Sequence, residues 1–223
     1  MTTKTPLIDI VSLRHAFGQK EVLSIDQWSM IKGQNQLLLG PSGSGKTTFL
    51  SIITGLLKPT SGDVFIHAEG NDHKLPHEQI EKHIATLFGI VFQDHHLISS
   101  LNLEDNLRLA QQLSQKGIDN EWSMHLLEKL GLYSRRKDKP VAFSRGEIQR
   151  AAIARAAATR PAILIADEPT SALDDRNSEQ VMDILTDLSS HAGSTLLVAT
   201  HDKRIMPYFS EHLKLKHHAD GGQ

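Results

Sequence analysis

Cysteine is missing altogether from the 223 residues. Disulfide stapling, thiolate chemistry and Cys-based zinc sites are thereby excluded, and a reducing compartment, by default the cytoplasm, is the expectation. Long apolar runs are missing too: no stretch approaches the roughly 18 uninterrupted apolar residues of a membrane span, so any membrane role must come through a partner. The opening residues MTTKTPLIDI lack the apolar core of a secretory leader. Nor does charge of one sign prevail. Lys plus Arg number 24 against 26 Asp plus Glu, with no long basic run, so no nucleic-acid partner is expected.

Histidine is plentiful, with 13 residues. They are scattered, however: only His95–His96 and His217–His218 are adjacent, and no HExxH or similar ligand spacing occurs. Surface histidines, rather than a dedicated zinc site, are expected.

The chain is long enough for one large domain or two small subdomains. LIDIVSL (7–13) alternates like a strand, and Val64-Phe65-Ile66 follows the turn residues Thr60-Ser61-Gly62-Asp63. The polar stretch 67–79 reads as a surface connection before a buried strand at Gly89-Ile90-Val91-Phe92. From about Asn102 the period changes. NLEDNLRLAQQL and NEWSMHLLEKL place apolar residues three and four apart, each headed by an Asn able to cap a helix. This helical insert ends near RRKDKP (135–140), read as a solvated charge run and turn. AILIADEPT (162–170) and STLLVAT (194–200) are short apolar strands on either side of the helix-patterned DDRNSEQVMDILTDLSS. Apolar strands alternating with helices indicate an α/β fold with a parallel sheet covered on both faces. The tail HHADGGQ is expected to be loose.

Chemistry concentrates in LLLGPSGSGKTTFL (37–50). Gly40-Pro41-Ser42-Gly43-Ser44-Gly45-Lys46-Thr47 satisfies G-x-x-x-x-G-K-[ST] between a strand and a helix-patterned segment. Small residues let backbone N–H groups wrap a phosphate chain, and the helix N-terminus adds partial positive charge. Lys46 is then placed to pair with the β- and γ-phosphates and the Thr47 hydroxyl to ligate Mg²⁺, with Thr48 next to it as a further nucleotide contact. Asp167 and Glu168 follow a buried strand, at the sheet edge where open α/β folds put ligands. Asp167 suits the metal, through water, and Glu168 the base for an attacking water.

With those residues in place, the sequence resembles the nucleotide-binding subunit of an ATP-binding cassette (ABC) transporter over nearly its whole length. The resemblance implies a P-loop ABC ATPase fold: a mostly parallel core sheet, an N-terminal antiparallel β subdomain and a helical subdomain inserted at about 95–158, in one domain over 1–223. It implies ATP and Mg²⁺ as nucleotide and metal, and ATP hydrolysis as the activity. Gln93 in VFQDHHL resembles the Q-loop glutamine, reaching Mg²⁺ and the attacking water. His201 matches the switch histidine that bonds the γ-phosphate, and Asp174, in SALD, the D-loop aspartate that shapes the water-binding pocket across a dimer. Phe17 stands where an aromatic ring stacks on adenine; a plain core Phe is the alternative.

FSRGEIQR (143–150) is similar to the family signature LSGGQQQR, where the serine and neighbouring amides bind the γ-phosphate held by the opposite subunit. Ser144, Gly146, Gln149 and Arg150 agree; Arg145 replaces the first of two glycines, and Glu147 and Ile148 replace the two glutamines that follow. Either Arg145 turns its side chain away from phosphate or its guanidinium adds charge there. The resemblance further implies a second copy in a head-to-tail dimer and a transmembrane permease docked beside the Q-loop, around Asp94 to Leu101. That would place the chain on the cytoplasmic face of the inner membrane. FQDHHLISSLNLEDNL is similar to the lipoprotein-release and macrolide-efflux branch. The ATPase of a nutrient or metal importer, and a soluble ABC protein of DNA repair or translation, are the alternatives. Against the last stand the missing heptad insertion, second cassette and basic tail.

Overall fold

The computed structural model describes residues 6–67, 74–171 and 173–216; the C-terminal tail expected to be loose, from His217 on, lies outside them. Strands β1 (Pro6–Phe17) and β2 (Lys20–Ile31) form a hairpin, turned at Gly18 with φ 61° and paired antiparallel from Pro6↔Ile31 to Phe17↔Lys20. β2 buries Leu23, Ile25 and Met30 in one core cluster and leaves its other residues exposed or half-buried.

After β3 (Gln36–Leu39) and helix α1 (Lys46–Ile53), β4 (Ser61–His67) adds to the free side of β1, and β5 (Lys74–Pro76) pairs with β4. The result is an antiparallel sheet in the order β2-β1-β4-β5. The expected surface connection at 67–79 is corrected here: it contains β5 and the start of α2 (His77–Ile80). The free edge of β4 offers unpaired backbone groups, and a short strand ending in Pro covers and closes it.

The rest is α/β. Single-turn α3 (Ile84–Leu87) leads into β6 (Phe88–Val91), followed by α4 (Leu103–Leu113), α5 (Asn120–Lys129), α6 (Arg145–Ala157), β7 (Ile163–Asp167), α7 (Asp175–Ala192), β8 (Thr195–Thr200) and β9 (Glu211–Lys214). The second sheet runs β6-β7-β8-β3-β9, with all four pairings parallel. Helices α4, α5 and α6 form the helical subdomain. Asn102 caps α4 as expected, its side chain accepting from Asp105 N at 2.8 Å. Asn120 does not cap α5: it is the first helical residue, and Asp119 accepts from Trp122 N at 2.9 Å. Both types cap well, and Asp119 wins because it stands before the turn.

Successive residues of β7 and β8 serve opposite faces of the sheet. Leu164, Ala166, Leu196 and Val198 pack with α6 and α7, while Ile163, Ile165, Leu197 and Ala199 pack with α1 and the antiparallel sheet. This is why their sequences read as continuous apolar runs. The alanines of α6 let that helix approach β6 closely. A Cβ on Gly89 would lie 2.1 Å from the Ala156 carbonyl oxygen and 2.8 Å from Pro161. Gly89→Ala must therefore push strand and helix apart, and a loss of about 1–3 kcal/mol is expected as a lower urea midpoint. An unchanged midpoint would refute that close contact.

Candidate active site

β3, β7 and β8 run parallel, so their C-terminal ends deliver residues 40–47, 167–168 and 200–201 to one edge. Gly43 and Gly45 both adopt positive φ, 77° and 91°, which only glycine takes without strain. Gly45 precedes α1, whose first turn carries neither a side-chain cap nor an acidic residue. Its leading N–H groups and partial positive charge are thus left for an anion.

Two further observations fit a phosphate cradle. The Ser44 Oγ is buried without a hydrogen-bond partner, and a Cβ on Gly40 would fill the loop, 2.3 Å from that oxygen. Lys46, only 7% exposed, spans the loop: its Nζ donates to Gly40 O at 2.8 Å and Pro41 O at 3.1 Å, and lies 3.2 Å from Glu168 Oε1.

Glu168 is the centre of the polar network. Its φ of 50° is rare for a non-glycine residue and is held by its own N–H donating to Ala199 O at 2.7 Å. Such backbone strain, about 1–3 kcal/mol, clusters at functional sites. Thr200 Oγ1 donates to Glu168 Oε2 at 2.8 Å, and His201 Nδ1 lies 3.0 Å from Oε1. Burial pushes the Glu168 carboxyl up, but His201, Thr200 and Lys46 together outweigh it and hold the group below its usual range, ionised. Burial, with the Glu168 charge beside it, raises Asp167, opposed by Lys46 and Thr47. Thr47 Oγ1 donates to Asp167 Oδ2 at 3.4 Å, so a hydroxyl and a carboxylate converge, oxygen donors of the kind that hard divalent cations take.

Gln93, just past β6, lines a cavity of about 360 Å³ with Asp167, Glu168 and Arg145. Pro41, Ser42 and Gly43 are exposed and Thr48 is half-buried at the start of α1. Phe17, 56% exposed, is no core residue; its ring packs T-shaped with that of His15, the ring centres 4.7 Å apart. Asp174 caps α7, its Oδ1 accepting from Asn177 N at 2.8 Å, and the structure joins it to none of the groups around Glu168.

The segment from Ser144 to Glu147 forms a corner at the head of α6, with Arg145 reaching the cavity of Gln93 and Glu168. Ser144 caps α6 in a reciprocal box with Glu147, and Arg145 is the first helical residue, exposed and free of the positive φ that would strain it. Farther along α6, Gln149 donates to Pro169 O just beyond Glu168, and Arg155 donates to His96 O in the segment after Gln93. Sequence reading missed Thr200. It sits one residue before His201 at the same strand end, a position that could have flagged it. The reading of 135–140 as a solvated run is corrected for Arg135, which donates to Asp138, Glu147 and Ala142.

A glycine loop with a buried lysine, a metal-suited Thr–Asp pair and a strained, hydrogen-bonded carboxylate define a P-loop nucleoside triphosphatase. The family model for the ABC transporter matches residues 23–171. The chain belongs to that family and is an ABC ATPase, the ATP-binding subunit of an ABC transporter. It is 34% identical over 206 residues to the lipoprotein-releasing system ATP-binding protein LolD of Buchnera aphidicola subsp. Schizaphis graminum, covering 90% of each chain. It is 36% identical over 201 residues to the cell division ATP-binding protein FtsE of Mycobacterium tuberculosis, covering 89% of this chain and 86% of FtsE. The dimeric structure of MJ0796, a bacterial ABC transporter cassette, superposes with a TM-score of 0.79 at 33% identity, covering 94% of each chain. A dimeric post-hydrolysis state of MJ0796 is bound to ADP and Pi.

Proposed function

We propose that two copies of this chain close head to tail over two ATP molecules, each held by the phosphate loop of one copy and the Ser144–Glu147 corner of the other. Hydrolysis then lets the pair part. The observation that carries the reading is Glu168, ionised and oriented by Thr200 and His201 at the mouth of the phosphate loop. A carboxylate so placed takes a proton from water as its oxygen attacks the γ-phosphorus and ADP leaves. The triphosphate offers Lys46 stronger acceptors than the loop carbonyls, drawing the ammonium off Glu168 and freeing the base. Mg²⁺, held by Thr47 and, through water, by Asp167, with Gln93 alongside, would neutralise charge on the β- and γ-phosphate oxygens. His201 hydrogen-bonds the γ-phosphate, Phe17 stacks on adenine, and Asp174 reaches the water-binding pocket across the dimer. Swinging the pair from 1:99 to 99:1 closed requires a nucleotide preference of about 5.5 kcal/mol, within reach of several charge-assisted bonds.

The stroke passes to a membrane permease. Among the described residues no helix is long and apolar enough to cross a membrane, but an apolar groove of about 300 Å³ opens beside the Q-loop, with Phe92, Ile98 and Leu113 in its walls. Ile98 and Leu113 are exposed, as surfaces awaiting a partner helix are. An exporter or lipoprotein-releasing system on the cytoplasmic face of the inner membrane is favoured by the likeness to LolD. An importer ATPase is the alternative. Affinity purification of the Glu168→Gln protein from detergent-solubilised membranes should bring down a multispanning permease with a large periplasmic domain. A solute-binding protein among its gene neighbours would favour the importer, and recovery of no membrane protein would overturn the transport reading.

Because Arg145 carries no backbone strain, Arg145→Ala and Arg145→Gly are expected to hydrolyse ATP within tenfold of the parent. A loss of tenfold or more in both, at least about 1.4 kcal/mol of barrier, would show that the guanidinium acts on phosphate.

A further inference from the structure

Within the corner from Ser144 to Glu147, a full negative charge sits where the proposed function needs a phosphate. Glu147 Oε2 accepts from Ser144 N at 2.8 Å and from Ser144 Oγ at 2.7 Å. A hydroxyl has one proton to give, and that of Ser144 goes to this carboxylate. Glu147 N in turn points to Ser144 Oγ at 3.4 Å. The leading α6 donors left over are the amides of Arg145 and Gly146.

A helix N-terminus attracts one anion readily. Here it already holds a carboxylate, which the Ser144 bonds, with Arg135 adding to them, hold down to about 2, so it is charged at any working pH. Its neighbour is Arg135, at the end of a single 3₁₀ turn (Tyr133–Arg135). One guanidinium makes four contacts: Nη1 donates to Glu147 Oε1 at 2.7 Å, Nε to Asp138 Oδ2 at 2.9 Å and Nη2 to Ala142 O at 2.8 Å, and its carbon lies 4.9 Å from the Phe143 ring centre. Both oxygens of Glu147 are thereby engaged, and the loop into α6 is drawn around a single cation. The nearby Arg150 donates from Nε to Leu130 O at 3.0 Å, and its Nη1 lies beside Gly146, 3.6 Å from where a Cβ there would stand.

We propose that Arg135 is a positioning residue of this corner: it neutralises and pins the Glu147 carboxylate, so that the Arg145 and Gly146 amides can receive a phosphate from the facing copy. The inference rests on the head-to-tail reading above. A brace that held only the loop's shape would be indifferent to the charge of Glu147. A neutraliser is not.

The test uses the full chain carrying Glu168→Gln, in which ATP-driven dimerisation is followed by light scattering as Mg-ATP is raised. Adding Arg135→Gln should raise the ATP concentration for half-maximal dimer by about tenfold or more, since an unpaired carboxylate then faces an incoming anion. Adding Glu147→Gln, which keeps the Ser144 contacts but removes the charge, should return it to within about threefold. Added salt should narrow the Arg135→Gln deficit. Arg135→Lys, which keeps the charge without the planar fork, should lie nearer the parent than Arg135→Gln does. Arg135→Gln dimerising at the parental ATP concentration, or a deficit that Glu147→Gln leaves untouched, would overturn the proposal. So would Arg135→Lys behaving like Arg135→Gln, a result that stays informative if the glutamine variant folds poorly. If the Glu168→Gln parent binds ATP but never dimerises, the head-to-tail reading itself fails and takes this inference with it.

Discussion

Glu168→Gln is expected to lower kcat for ATP hydrolysis by about 10²–10⁴-fold, the usual worth of a positioned general base. Glutamine has the same length, and its amide oxygen can still accept from Thr200 Oγ1, which lies 2.8 Å from the native carboxylate. The strained turn at residue 168 is held by the backbone bond to Ala199 O and survives the change. What disappears is the proton acceptor, together with the charge that competes with phosphate for Lys46. ATP affinity should therefore be kept or increased, and the protein should elute as a dimer when gel-filtered in Mg-ATP. Release of phosphate at the parental rate would show that another group takes the proton.

Lys46→Ala should have the opposite signature, with binding lost before chemistry is reached. The native ammonium is buried against two loop carbonyls and Glu168, pre-placed at the head of α1. Removing it deletes one or two charge-assisted bonds to the triphosphate, so calorimetry should show ATP affinity reduced by about 10- to 100-fold or more. The side chain also ties the loop to itself, so a modest fall in thermal stability is expected alongside. Unaltered affinity for Mg-ATP would remove the basis for the phosphate loop. The two variants separate binding from turnover: one should trap nucleotide, the other should fail to hold it.

Legibility in the sequence followed how tightly geometry constrains residue type. The loop at 40–47 is readable because positive φ at Gly43 and Gly45 and the tight space at Gly40 admit little else. Asp167 and Glu168 are readable because an apolar strand ends in two adjacent charges at the sheet edge. The hairpin strand β2 was missed, since its buried Leu23, Ile25 and Met30 are separated by many polar residues and its turn at Gly18 and Gln19 lacks an Asn-Gly or Asp-Gly pair. Strand β9, with sequence EHLK and mostly exposed, has no local signature; its register against β3 is a tertiary fact. Arg135 was hidden for a related reason. In a run such as RRKDKP, a solvated arginine and one bonded to Glu147, twelve residues on, are written identically.

Helix α6 has three stations along its length: Ser144 at its head, Gln149 against the carbonyl of Pro169, and Arg155 against the carbonyl of His96. Thirteen residues make a rod about 20 Å long, pressed against β6 at Gly89 with no clearance. Tilting such a rod by about 5° about its far end carries its head through roughly 2 Å, the difference between a hydrogen bond and none. The corner that would meet the facing copy, the peptide beyond Glu168 and the turn after Gln93 are thus tied to one stiff rod, so a rigid shift of α6 would disturb the contacts at all three.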